Sequence, residues 1–144
     1  MIRIILGLLL VLVAIPTSAA TWEADFDLDN WWSRPGSLSA NASLGKFVSE
    51  RQEVFLKASY NDTPSSNAVM GAAWVVHAYP PSPGHITPFV STGLNWESRR
   101  HKLFEYAGAG VLWNLTEHVG LRAYIAHEFE TSSNGFFVST AIFP

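Results

Sequence analysis

Residues 22–29 of this chain alternate strictly between apolar and polar side chains. In 22–29 one parity is apolar and the other is entirely acidic: Trp22, Ala24, Phe26 and Leu28 against Glu23, Asp25, Asp27 and Asp29. A β-strand places successive side chains on opposite faces, whereas a helix would spread these acids around its surface. The pattern therefore predicts a strand with one apolar and one polar face.

Seven later segments are also predicted to be β-strands, and turn-forming residues separate them. The segments lie at 38–44, 54–60, 68–76, 90–96, 103–113, 119–129 and 136–143. Turn chemistry is found at 34–36, 61–64, 80–84, 114–117 and 132–135. In the fourth segment we assign one parity to the outer face: Ala68, Met70, Ala72, Trp74 and Val76. The eighth segment is apolar on both parities, so its register stays open.

The length of the chain limits the number of strands. A membrane-spanning strand needs about 9 to 11 residues, so eight strands use roughly 80 residues and leave about six for each connection. We therefore predict an all-β protein, an eight-stranded antiparallel up-and-down transmembrane β-barrel. A sixteen-stranded porin cannot be built from 144 residues.

Residues 1–20 have the layout of a secretory signal peptide. Met1 and the basic Arg3 precede an apolar run at 4–15, and small residues follow as far as Ala20. The run is shorter than the roughly 20 residues of a spanning helix. We predict cleavage just before Thr21, or one residue earlier, with 21–144 forming a single barrel domain. No later segment has eighteen continuous apolar residues, so helical spans are excluded.

Composition excludes several classes of function. The chain has no cysteine, which rules out disulfides and thiolate metal sites. Its net charge is −3, and its Lys and Arg residues are scattered, which argues against nucleic acid as a partner. Four histidines are too scattered in the sequence for a metal site: His77, His85, His101 and His118. We predict neither a metal nor a cofactor.

The content of the two strand faces discriminates between a membrane barrel and a soluble one. The polar parity is rich in Ser, Gly and Asn, while the apolar parity carries Trp, Phe, Leu, Val and Ile. Eight strands enclose an interior barely wide enough for side chains, so the small residues belong inside and the bulky ones outside. Only 15% of the residues are charged, unlike a lipocalin-like surface. A membrane barrel is therefore favoured over a soluble periplasmic ligand-binding barrel.

Aromatic residues are expected at both ends of the strands. With the N-terminus in the periplasm, alternating strand directions place one set at the periplasmic ends: Trp22, Tyr79, Trp113 and Phe143. The other set falls at the outer ends: Trp31, Trp32, Tyr60, Trp96 and Phe129. Two girdles of this kind are typical where aromatic rings lie at the lipid headgroups.

Three stretches carry a resemblance to a known class. They are Pro88 to Leu94, Tyr106 to Val111, and Asn114 to Tyr124. On these motifs, a region of about 55 residues resembles the C-terminal half of small outer-membrane barrels of the opacity-protein and OmpA-transmembrane-domain type. That class normally ends on an aromatic residue recognised during assembly, and here Phe143 is followed by Pro144. The resemblance implies a monomer in a Gram-negative outer membrane whose partners are membrane lipids, lipopolysaccharide and the outer-membrane assembly machinery.

Charged residues on the polar parity predict an ion network inside the barrel. Its candidate members are Glu23, Asp25, Asp27, Asp29, Lys57, Arg122 and Glu128. Carboxylates crowded in a low dielectric need cations or protons nearby, so a structural network filling the lumen is the favoured interpretation. A cation site or gate is the functional alternative. Our hypothesis is that Arg122 closes a salt-bridge network with the acids of the first strand.

A second resemblance concerns enzymes. Asn30-Trp31-Trp32, together with a late Arg122-Ala123 and His127, is similar to lipid A 3-O-deacylase barrels. Their chemistry implies a His and a Ser two residues apart on the lipid-facing side of a strand, plus a carboxylate. His127 shares the parity of Ile125, but the residue two further on is Phe129. Only Ser132 or Ser133 could substitute as the nucleophile.

The sequence thus favours one function and leaves two alternatives. The first prediction is a small non-enzymatic outer-membrane barrel with an envelope-structural or surface-interaction role and no wide pore. The alternatives are a lipid A-modifying acyl hydrolase and a soluble periplasmic ligand-binding barrel.

Overall fold

The computed structural model describes residues 22–31, 38–62, 67–98 and 101–143, with side chains described at 41–60, 68–98 and 101–143. The signal peptide predicted at 1–20, and Trp32, lie outside the described residues. The described strands are β1 (Trp22–Trp31), β2 (Leu38–Ser49), β3 (Gln52–Asp62), β4 (Asn67–His77), β5 (Ile86–Glu97), β6 (Lys102–Asn114), β7 (Val119–Glu128) and β8 (Ser133–Ile142).

The eight strands close into a barrel in sequence order. Each strand pairs antiparallel with the next, and β1 pairs antiparallel with β8, where Ala24 lies opposite Ile142. This is the up-and-down topology that the sequence predicted. We call the end at which β1 begins and β8 finishes the termini end, and the other the distal end. No helix in the described part of the chain is long and apolar enough to cross a membrane.

Buried and exposed side chains alternate along the strands, as the sequence pattern predicted. In β4, Ala73, Val75 and His77 are buried while Trp74 and Val76 are exposed, so the assignment of the fourth segment is confirmed. Every strand from β4 to β8 presents exposed, bulky apolar side chains on the outer surface: Met70, Trp74, Val76, Ile86, Val90, Leu94, Leu103, Val111, Trp113, Val119, Leu121, Ile125, Phe136, Val138 and Ile142.

The eighth strand starts earlier than its sequence pattern indicated. β8 begins at Ser133 rather than at Phe136, because the preceding turn is made by 129–132, where Ser132 adopts a positive φ of 50°. This start fixes the register that the sequence left open. Phe137, Ser139 and Ala141 are buried in the barrel, and the residues between them are exposed.

Aromatic rings fill much of the barrel interior. A chain of ring contacts runs across it from Phe47 through His77, Phe89 and Tyr124 to Phe137, with centroid separations between 4.6 and 6.1 Å. Glycines on the same face make room for such rings. A Cβ added at Gly93, for example, would lie 2.7 Å from the Tyr106 ring. The interior is thus a packed core, as expected for eight strands.

Candidate functional site

A cluster of three charged or ionisable side chains crosses the lumen. We call Glu53, His77 and Arg122 the lumen cluster. Arg122 Nη2 donates to Glu53 Oε2 over 3.1 Å, and His77 Nε2 lies 3.4 Å from the same oxygen. All three side chains are at most 4% exposed. Charge-assisted hydrogen bonds of this kind are stronger than neutral ones, and they offset part of the cost of removing these charges from water.

Barrel closure is what brings the members of the lumen cluster together. Glu53 lies on β3 and Arg122 on β7, four strands apart in a closed ring of eight, so they face each other across the lumen. The long arginine side chain can bridge this distance because an eight-stranded interior is narrow. Its guanidinium carbon also lies 4.5 Å from the centre of the Phe55 ring and 5.4 Å from that of Phe89. The Arg122 side chain therefore lies in the lumen, where its guanidinium contacts the Glu53 carboxylate and the Phe55 and Phe89 rings.

Lys57 forms a second polar group on the distal side of the lumen cluster. Lys57 Nζ donates to the Tyr124 hydroxyl over 3.2 Å and lies 5.2 Å from the Tyr106 ring centre and 5.3 Å from that of Tyr124. Two tyrosine faces thus surround the ammonium group. The sequence placed Lys57 inside the barrel but did not foresee its tyrosine partners.

Glu128 lies at the distal rim of the lumen, away from the lumen cluster. Its carboxylate accepts from the Thr131 hydroxyl over 2.5 Å, and that hydroxyl is also 2.7 Å from Ser133 Oγ. Glu128 therefore ties the β7–β8 turn to its strand.

The first-strand acids occupy β1, but their side chains lie outside the described residues. The register places Asp27 opposite Ser139, and Ser139 is in turn opposite Arg122. Our hypothesis that Arg122 also reaches the acids Glu23, Asp25, Asp27 and Asp29 thus stays a prediction.

The sequence interpretation missed Glu53 and His77. The available signal was parity, because Glu53 shares the inner face with Lys57, and His77 ends the inner set of β4. That signal places both residues inside but does not pair them with Arg122.

Eight of the nine aromatic residues predicted at the strand ends divide into three groups. Tyr60, Tyr79, Trp113 and Phe129 are exposed, while Trp96 is half-buried and contacts the His101 ring. Trp22 and Trp31 are the first and last residues of β1, and their side chains lie outside the described part of the structure. Trp32 lies outside it entirely.

Phe143 requires a correction. It follows the outward-facing Ile142 and therefore falls on the inner parity, where it is only 7% exposed. It is also tied to the β6–β7 connection, since its N–H donates to the His118 carbonyl and its own carbonyl lies 3.0 Å from His118 Nδ1. Phe143 closes the termini end from inside and is not a member of an outer girdle.

His127 faces outward near the distal end of β7. Its Nδ1 lies 3.0 Å from the Asn134 side-chain oxygen, and its ring meets that of Phe129 edge to face at 5.2 Å. Ser133 is buried on the inner face of the sheet, so it cannot act with His127. Ser132 is exposed in the turn. The residues described thus supply an oriented imidazole on the outer surface but no hydrogen-bonded serine beside it.

No group of three or more His, Asp or Glu side chains that could hold a metal ion is found within 41–60, 68–98 and 101–143.

Comparison with solved structures gives the class of this barrel. The N-terminal β-barrel domain of Pseudomonas aeruginosa OprF matches with a TM-score of 0.73 and 15% identity, over 86% of this chain and 97% of that domain. A de novo designed transmembrane β-barrel matches with a TM-score of 0.72 and 17% identity, over 86% and 95% of the two chains. Neisserial surface protein A matches with a TM-score of 0.55 and 12% identity, over 86% and 94%.

No family model and no curated protein matches the sequence. The chain has the fold of the small eight-stranded outer-membrane β-barrels, as its sequence pattern predicted.

Proposed function

We propose that this chain is a non-enzymatic outer-membrane barrel of a Gram-negative bacterium, exported by a signal peptide at 1–20. It spans the membrane without a wide pore and serves envelope structure or surface interaction. The observation that carries this proposal is the occupied lumen, in which Phe55, Leu112 and Glu53 are at most 1% exposed. Side chains so completely excluded from solvent leave no water-filled path beside them.

The outer surface supports the membrane location. Val90, Ile125 and Leu103 are each more than half exposed, and such a belt is favourable against hydrocarbon and costly against water. A soluble ligand-binding barrel needs the reverse arrangement, with its apolar residues inside. The proposed partners of the folded barrel are therefore outer-membrane lipids and lipopolysaccharide. We propose that the chain is a monomer and that the outer-membrane assembly machinery inserts it. The distal connections near Arg34, Asp62, 99–102 and Ser132 are the proposed surface contacts.

A closed lumen predicts the absence of steady conductance. The mature chain, folded into a planar lipid bilayer, is expected to give no stable channel at a voltage where a sixteen-stranded porin conducts. A triple alanine variant of the lumen cluster, at Glu53, His77 and Arg122, is expected to show open events, because it removes the side chains that bridge β3 and β7. A stable open level in the unmodified protein would contradict the proposal.

Cell fractionation tests the location separately. Outer-membrane recovery, with heat-modifiable migration on a gel, is expected of a membrane barrel, whereas recovery in the soluble periplasmic fraction would contradict it.

One observation favours a second candidate, a lipid A-modifying acyl hydrolase. His127 is oriented by Asn134 on the outer surface, which is the placement that a general base acting on a lipid ester requires. The test is incubation of the folded chain with lipopolysaccharide, and the His127→Ala variant is the matched control. Failure of the unmodified protein to release a 3-hydroxy fatty acid would remove this candidate.

A further inference from the structure

The apolar band on the outer surface has a defined edge at each end on β3, β6, β7 and β8. The outward residues at its distal edge are polar or amphipathic: Tyr60, Glu105, His127 and Asn134. Those at its termini edge are a polar residue, an aromatic residue and the strand-end residues of β7 and β8: Gln52, Trp113, Val119 and Ile142. Between the edges every outward residue of these four strands is apolar except Thr140. On each strand the two edges are eight residues apart.

The stagger of the closed barrel determines how these edges align around it. A row of directly paired residues that starts at Thr87 on β5 passes through every strand and returns to β5 at Glu97, ten residues further along. Each step to the next strand therefore moves the row toward the distal end by about one and a quarter residues. With this offset included, the four distal residues lie at one level to within about 3 Å, and so do the four residues of the termini edge. The edges are thus two parallel levels.

The separation of the two edges is small for a membrane barrel. Eight residues span about 27 Å along an antiparallel strand, and the strands of such barrels are tilted by about 35 to 45° from the membrane normal. The edges are therefore about 19 to 22 Å apart along the barrel axis. The apolar band of outer-membrane barrels is typically about 25 Å tall. The band of this barrel is thus shorter than usual.

Polar side chains set the distal limit of the band. Leu103 and Phe129 lie one outward position beyond Glu105 and His127, close enough to the edge to contact hydrocarbon themselves. A hydrocarbon core thick enough to cover them fully would also surround the Glu105 carboxylate, which is costly. Tilting the barrel does not remove this cost. The band has the same height on β3 and on β7, which lie on opposite sides of the ring, so a tilt that raises one lowers the other.

We infer that the outer surface of this barrel fits a bilayer with a hydrocarbon core only about 20 Å thick. Short-chain lipids form such a bilayer directly, whereas longer lipids must thin next to the protein, and this thinning costs free energy. The inference rests on the proposed function, because it requires the barrel to span a membrane. It adds to that function the kind of lipid environment that the barrel prefers and the residues that define it.

Spin labels on the full mature chain measure the height of the band directly. The chain has no cysteine, so a nitroxide can be attached at one introduced cysteine at a time. The six positions are equally spaced on β6 and β3: Glu105, Ala109, Trp113, Gln52, Leu56 and Tyr60. In dioleoylphosphatidylcholine vesicles, labels at Ala109 and Leu56 are expected to be accessible to oxygen and protected from an aqueous nickel chelate. The four labels at the edges are expected to give the values of the headgroup region.

Two results of the labelling are informative in opposite ways. Edge labels as deep in hydrocarbon as those at Ala109 and Leu56 would overturn the inference and leave the proposed function intact. Labels at Ala109 and Leu56 that are fully accessible to the nickel chelate would reject the proposed function itself. Heat-modifiable migration establishes that each labelled barrel is folded.

Dependence of stability on bilayer thickness tests the inference a second way. The urea midpoint of unfolding is expected to be higher in dilauroylphosphatidylcholine than in dioleoylphosphatidylcholine vesicles, because the shorter chains need less thinning. A triple variant with Glu105→Leu, His127→Leu and Asn134→Leu extends the apolar band on three strands and is expected to reverse this preference. Thr140→Leu, which lies inside the band, is the control and is expected to retain it. A higher midpoint of the unmodified protein in the dioleoyl lipid, or an unchanged preference in the triple variant, would overturn the inference.

Discussion

Replacing Arg122 with alanine is expected to lower the free energy of unfolding by about 3 to 5 kcal/mol. The variant leaves the Glu53 carboxylate buried without the guanidinium that donates to it at 3.1 Å, and an uncompensated buried charge costs this much. The guanidinium contacts with the Phe55 and Phe89 rings are lost as well. Urea unfolding from lipid vesicles, followed by tryptophan fluorescence, measures the change.

Two controls separate this effect from a general loss of charge. Lys102→Ala breaks the ion pair with Glu130, which is exposed at the distal rim, and is expected to cost less than about 1 kcal/mol. The double variant Glu53→Gln with Arg122→Met is expected to recover most of the lost stability, because it also removes the Glu53 charge that Arg122→Ala leaves without its guanidinium partner. A single Arg122→Ala variant as stable as Lys102→Ala would contradict this view of the lumen cluster.

Replacing Val90 with arginine is expected to lower the free energy of unfolding from lipid vesicles by about 2 to 4 kcal/mol. Val90 is 58% exposed on the outer surface of β5, and an arginine near the middle of a bilayer costs this amount. The conservative Val90→Ile variant keeps the apolar surface and is expected to be nearly neutral. If the surface faced water, the arginine would change stability by no more than about 0.5 kcal/mol, and that result would contradict the membrane assignment.

The period of two in the sequence predicted most of the fold. Alternation requires no knowledge of distant residues, so 22–29 alone identified a strand, and the parity of Trp74 against Val75 identified the two faces of β4. The number of strands followed from length. The register of β8 was harder to predict, because the sequence of this strand is apolar on both parities. Its start at Ser133 is defined by its pairing with β7. The misplacement of Phe143 has the same cause.

The site was less predictable than the fold. Arg122 could be placed inside by parity, but its contact with Glu53 is made across the lumen between β3 and β7. Such a contact depends on barrel closure and on the stagger of the strands, which local sequence does not encode. The same holds for Lys57, whose partner Tyr124 is 67 residues away. His127 was correctly placed on the outer face, whereas its partner Asn134 again required the register of β8.

The lumen and the outer surface carry separate roles in this account. The lumen cluster and the ring chain lie inside the barrel, so variants there are expected to change stability and conductance. His127 lies on the other face of the sheet, outside the lumen. Variants at Arg122 and at His127 should therefore affect different measurements.

Depth-dependent quenching of Trp74 tests the direction of the bulky side chains most directly. Trp74 is 51% exposed on the outer surface of β4, and a variant retaining it while the other five tryptophans become phenylalanine reports on that position alone. In vesicles, lipids brominated on their acyl chains are expected to quench its fluorescence strongly, and aqueous iodide is expected to quench it weakly. Strong quenching by iodide together with weak quenching by the brominated lipids would contradict a barrel that turns its apolar face to the membrane.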